Sequence, residues 1–86
     1  MVLSRVRNIF YIFDVYPNPA DQVIHVIAHG NKIIKRIGIL DLTGRVLSSD
    51  ALEGSSIATG SLDPNLYLIR IETTDNMCYY EKFIKR

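Results

Sequence analysis

The sequence predicts an all-β fold, an Ig-like antiparallel β-sandwich of about seven short strands. Short runs rich in β-branched and aromatic residues recur along the chain, and clusters of Gly, Pro, Asn and Asp separate them at regular spacing. Only one stretch carries a helix-compatible pattern. At 86 residues the chain is one domain, and folding buries about 60–65% of its extended surface, so the core is small.

The first run, Ile9 to Tyr16, places Ile9, Tyr11, Phe13 and Val15 on one parity and Phe10, Ile12, Asp14 and Tyr16 on the other. That pattern predicts a strand covered on much of both faces. Pro17 and Pro19 bracket Asn18, and neither proline can donate to a ladder, so the strand stops and Tyr16 to Ala20 forms a rigid corner. Gln22 to Ala28 is the ambiguous stretch. Pro19 and Asp21 are compatible with a helix start, and Gly30 with its end, but Val23, Ile24, Val26 and Ile27 are all β-branched and favour a strand with Ile24 and Val26 facing the core. A helix would bring His25 and His29 together at i, i+4; a strand holds them about 13 Å apart, too far to share a metal. Both are read as surface or rim residues, and no metal or cofactor is expected.

Gly30 and Asn31 turn the chain into Ile33 to Leu47, which reads as two strands joined by a tight turn. Asp41 suits the first corner of a type I turn, its carboxylate accepting the N–H two residues on. Gly44 takes the left-handed conformation that closes a three-residue hairpin with a bulge. Asp41 is thus architectural. The polar stretch after Leu47, SSDALEGSS, reads as a solvated loop, with Gly54 as its marker. Ser56 to Leu62 supplies a short strand through Ile57, and Asp63-Pro64-Asn65 turns, with Asn65 able to adopt the positive φ of a glycine. Leu66 to Thr73 alternates cleanly, Tyr67, Ile69 and Ile71 against Arg70 and Glu72. Thr74 to Asn76 turns again, and Met77 to Arg86 is the last strand.

Composition excludes several function classes. Charged residues make up 22% of the chain with a formal net charge of +1, which argues against disorder and against a dedicated nucleic-acid binder. Cys78 has no second cysteine to pair with, and in an apolar strand it reads as a small buried hydrophobe. Arg5 and Arg7 precede an apolar run as in an export signal, but Ile9 to Phe13 is shorter than the ~7–15 residues such a signal needs and lacks a small-residue cleavage site. A soluble chain with no export tag at its front is expected. The serines lack a partner base and no G-x-S-x-G occurs, so no catalytic residue is assigned.

Taken in order, the landmarks are Tyr16-Pro17-Asn18-Pro19-Ala20, then Ile24 and Val26, then Ile37 to Arg45 with Asp41-Leu42-Thr43-Gly44-Arg45 at its turn, then Leu62 to Tyr67, and finally Lys82-Phe83-Ile84-Lys85. This series resembles the type A C-terminal sorting domain of the type IX secretion system, found at the end of many secreted Bacteroidetes proteins. The resemblance spans about Val15 to Arg86 and rests on the order of five landmarks, none of them specific alone. The family pattern L-x-x-G-x-Y falls on Leu62 to Tyr67, with Asn65 in the glycine place. Residues 1–13 are then a lead-in, a first strand or the end of a cargo linker, and residues 14–86 the sorting domain. Family members follow a cargo and an export signal, so the chain is either a piece of a longer protein or a short gene or remnant.

The resemblance implies a substrate of the secretion machinery and not an enzyme. An attached N-terminal cargo passes through the periplasm, the outer-membrane translocon reads the domain, and a sortase removes it at the cell surface or on secretion. Recognition is placed on Pro17, Asn18 and Pro19 and on Lys82, Phe83, Ile84 and Lys85, with Asp41, Gly44, Arg45 and Asn65 as structural turn residues. A terminal strand with unpaired backbone groups can be read by strand addition; Lys82, Lys85 and Arg86 are equally compatible with gatekeeping against edge-to-edge pairing. Exposed edges leave a dimer open as well. The competing function is an Ig-like adhesion or carbohydrate-binding module, for which Tyr79 or Tyr80 would have to be exposed beside polar groups.

Overall fold

A computed structural model describes residues 12–51 and 56–86; the predicted strand residues Ile9 to Tyr11 and the loop marker Gly54 lie outside them. Seven strands follow in order: β1 (Phe13–Tyr16), β2 (Val23–Ala28), β3 (Ile34–Leu40), β4 (Val46–Ala51), β5 (Ser56–Ala58), β6 (Asn65–Thr73) and β7 (Cys78–Lys85). They form two antiparallel sheets, β1-β2-β5 and β4-β3-β6-β7. The fold is a small all-β sandwich.

Alternation decides what lies between the sheets. Ile24 and Val26 of β2 point inward, as do Ile37 and Ile39 of β3, Ile69 and Ile71 of β6 and Phe83 of β7, all fully buried. Register sets Ile37 beside Ile71 and Ile39 beside Ile69, so β-branched side chains from adjacent strands stack in one layer. Phe13, Ala20, Ile57 and Tyr67 complete the cluster. Burial of one such side chain is worth ~1.5–3 kcal/mol. Gln22 to Ala28 is resolved in favour of the strand. Each histidine on or beside it has its own partner: His25 stacks on Tyr16 with ring centroids 5.2 Å apart, and His29 Nε2 lies 2.9 Å from Asp14 Oδ2.

Three expectations need correction. The polar stretch after Leu47 is not all loop, because Ser48, Ser49, Asp50 and Ala51 continue β4 opposite Ile39, Gly38, Ile37 and Arg36. A ladder needs backbone groups, and an edge strand tolerates polar side chains. Cys78 is exposed; it starts an edge strand on the parity that faces away from the core. Asn65 has no positive φ. It opens β6, and its Oδ1 accepts the Leu66 N–H at 2.7 Å.

The left-handed asparagine is instead Asn76, with φ 67°. It repeats what Gly44, with φ 91°, does in the first hairpin. The Gly44 N–H donates to the Asp41 carbonyl and the Asp41 N–H to the Arg45 carbonyl, each at 3.0 Å. The Asn76 N–H donates to the Thr73 carbonyl and the Thr73 N–H to the Met77 carbonyl, again each at 3.0 Å. Both are three-residue loops closed by a bulge.

A carboxylate organises each turn. Asp41 Oδ1 accepts from the Thr43 N–H at 2.9 Å, the Thr43 hydroxyl at 2.5 Å and the Arg45 N–H at 3.0 Å. Asp75 accepts from the Thr73 hydroxyl, and its Oδ2 lies 2.6 Å from Lys32 Nζ. The Thr43 hydroxyl, then the Arg45 N–H, hold the Asp41 carboxyl below its ordinary value. Lys32, then the Thr73 hydroxyl, do the same for Asp75.

Two predictions follow from these turns. Gly44→Ala should destabilise the domain by about 1–2 kcal/mol, since alanine must take the left-handed region, whereas Asn76→Gly should change stability by less than about 1 kcal/mol; urea unfolding measures both. Because the folded state lowers both carboxyl pKa values, the unfolded chain takes up protons first as pH falls. The turns' contribution is thus complete above the unfolded value of about 4 and fades as pH drops through the folded values. Asp41→Asn with Asp75→Asn should flatten that acid limb in thermal unfolding followed from pH 6 down to about pH 2.

Candidate recognition surface

The residues proposed for recognition come from opposite ends of the sequence, and the fold joins them. Pro17 and Pro19 have no N–H, so only Asn18 and Ala20 can donate along the corner. Both bonds that preceding residues make to their prolines, Tyr16-Pro17 and Asn18-Pro19, are cis. The corner lies against the free edge of β7. Asn18 Oδ1 accepts the Ile84 N–H at 2.9 Å, the Ala20 N–H donates to the Ile84 carbonyl at 2.7 Å, and the Arg86 N–H donates to the Ala20 carbonyl at 2.9 Å. Ala20 thereby makes a parallel bridge to Lys85. Its methyl is fully buried in the core cluster.

This clip orders the proposed residues into two groups. Pro17, Asn18, Pro19, Lys82 and Ile84 are exposed. Phe83 is fully buried and its ring lies 5.8 Å from that of Tyr67, so it is a core residue. Lys85 is also buried, at 7% exposure, with Nζ donating to the Arg86 carbonyl at 3.0 Å. Gatekeeping by an exposed Lys85 is therefore ruled out by position; Lys82 keeps that option.

The turn residues gather elsewhere. Asp41, Arg45 and Asn65, with Leu62, Asp63 and Tyr67, line an open polar depression of about 470 Å³. Arg45 Nε stands 3.4 Å from Asp41 Oδ2. Tyr67, which the sequence placed on one face with Ile69 and Ile71 and at the end of the family pattern, is buried and donates its hydroxyl to the Asp63 carbonyl at 2.6 Å. This is a tyrosine corner, which pins the turn before β6 to the strand it starts. The signal was present: a tyrosine four residues after the turn aspartate.

The adjacent tyrosines separate. Tyr79 is half-buried, edge-on to Phe13 at 5.0 Å with Lys32 Nζ 5.4 Å from its ring centroid. Tyr80 is 54% exposed on the opposite face of β7. Among the described residues, no helix is long and apolar enough to cross a membrane.

The arrangement defines a β-sandwich module whose sequence landmarks converge on a strand edge and on turns. A family model for the secretion system C-terminal sorting domain matches residues 14–86. The chain belongs to that family, the sorting domains of type IX secretion. No curated protein matches it.

The clip yields a stability test. Asn18→Ala leaves the Ile84 N–H to solvent and should cost about 0.5–1.5 kcal/mol, while Asn18→Asp keeps the acceptor and should cost less. Ala20→Leu should cost about 1–3 kcal/mol by overpacking a filled site. Urea unfolding at neutral pH distinguishes the three.

Proposed function

We propose that residues 14–86 are a folded, non-catalytic address label that takes an N-terminally attached cargo through the type IX translocon and across the outer membrane. The label is then cut off by the sortase, leaving the cargo at the cell surface or secreted. Residues 1–13 are then a lead-in, a first strand or the end of the cargo linker. The observation that carries this reading is the family match over residues 14–86. The clipped edge supports it, since Pro17, Asn18, Pro19, Lys82 and Ile84 are all exposed and Asn18 is bonded to the Ile84 N–H.

The test fuses the full chain behind a fluorescent reporter with its own periplasmic export signal, in a bacterium with the type IX machinery and in a translocon deletion of that strain. The reporter should reach the surface or medium only where the translocon is present. Periplasmic retention in both strains, with the domain folded, would overturn the reading.

A further inference from the structure

In an antiparallel strand the N–H and C=O of each residue point to one side, and successive residues alternate sides. Ile84 and Arg86 direct theirs away from β6, into the corner. By parity Cys78, Tyr80 and Lys82 point the same way, and β7 ends its sheet. Among the described residues, nothing pairs with the outward backbone groups of Tyr80 and Lys82. The corner thus closes the C-terminal end of the edge and leaves a window over Cys78 to Lys82.

Resting on the sorting-label reading, we propose that this window is read by strand addition, and that its occupant is an extended segment of the receiving machinery and not a second copy of the chain. Two β7 edges paired antiparallel about Tyr80 would bring one copy's corner at Asn18 to Ala20 against the other's turn at Thr74 to Asn76, because the register that sets Tyr80 beside Tyr80 sets Ile84 beside Asn76. A segment that ends or bends away at the corner meets no such obstacle. Side chains on the outer face of the window set its chemistry. Tyr80 is exposed there with Arg70 opposite it on β6, and Lys82 follows opposite Leu68. The fitting segment is apolar beside Tyr80 and acidic beside Lys82. Main-chain bonds supply the affinity, and the lysine sets register and direction.

Backbone recognition predicts an unusual pattern of variants. Lys82→Pro removes an outward N–H and none of the ladder to β6, a position where an edge strand accepts proline. Lys82→Ala removes the charge and keeps the N–H. In the reporter fusion of the full chain, Lys82→Pro should lower surface reporter by roughly tenfold, with an unfolding midpoint close to that of the unaltered domain. Lys82→Ala should lower it by no more than about threefold. Glu81→Pro, which removes an inward N–H, should unfold the domain.

Equal export of Lys82→Pro and the unaltered chain overturns strand addition and leaves the sorting label standing. Equal loss in Lys82→Ala and Lys82→Pro overturns it too, by showing that the side chain is read. Failure of the unaltered fusion to leave the periplasm overturns both. Should Lys82→Pro unfold, hydrogen exchange of the unaltered chain decides. The peptide spanning residues 77–83 should gain protection with outer-membrane vesicles that carry the translocon and not with vesicles from the deletion strain. No difference overturns the proposal, and concentration-dependent protection without vesicles assigns the window to a second copy and overturns it as well.

Discussion

Three hydrogen bonds between the corner at Asn18 to Ala20 and the end of β7 are the constraint on which this sandwich depends. Among the described residues the sheets otherwise meet through side chains, and a chain of this size has few of them to spend on holding two sheets together. A backbone clip across the sandwich edge fixes their relative position directly. Prolines make it specific. With no donor at Pro17 or Pro19, the corner meets the edge through the backbone N–H and carbonyl of Ala20 and the carboxamide oxygen of Asn18. Ala20 also has to be small, since its methyl is fully buried in the core cluster.

Turn chemistry does the corresponding work along the strands. Asp41 and Asp75 each gather donors from the residues that follow or precede them, so two hairpins of equal geometry arise from different sequences. Tyr67 adds a third anchor by reaching back to Asp63. These contacts place β3 in register with β4 and β6 with β7, and the long-range pairing of β3 with β6 then sends Ile37, Ile39, Ile69 and Ile71 inward together.

Much of this was legible in the residues. Alternation in Leu66 to Thr73, β-branching in Val23 to Ile27 and the Asp-x-x-Gly spacing at Asp41 each mapped onto one element. What escaped did so for physical reasons. Both parities of β7 mix apolar and charged residues, so nothing in its pattern said that Phe83 and Lys85 face inward while Ile84 faces out. Asn76 stands at the same offset from Thr73 as Gly44 does from Asp41, but its neighbours carry no glycine to advertise the bulge, and the proline-flanked Asn65 drew the assignment instead. The serines of β4 read as loop because polarity reports exposure of side chains, whereas an outer strand is held by its main chain. The clip itself is a contact between residues 66 apart in sequence, and no local pattern encodes such a pairing.

Phe83 gives the last strand a double character. The residues nearest the C-terminus carry the exposed edge, yet they also supply a fully buried ring and the two N–H donors and one carbonyl acceptor that hold the corner. Deleting them removes the edge, opens the core and frees the corner in one stroke. A shortened chain that stays behind in the periplasm therefore reports lost folding as readily as lost recognition. Only substitutions that leave β7 paired to β6 can separate the address from the envelope on which it is written.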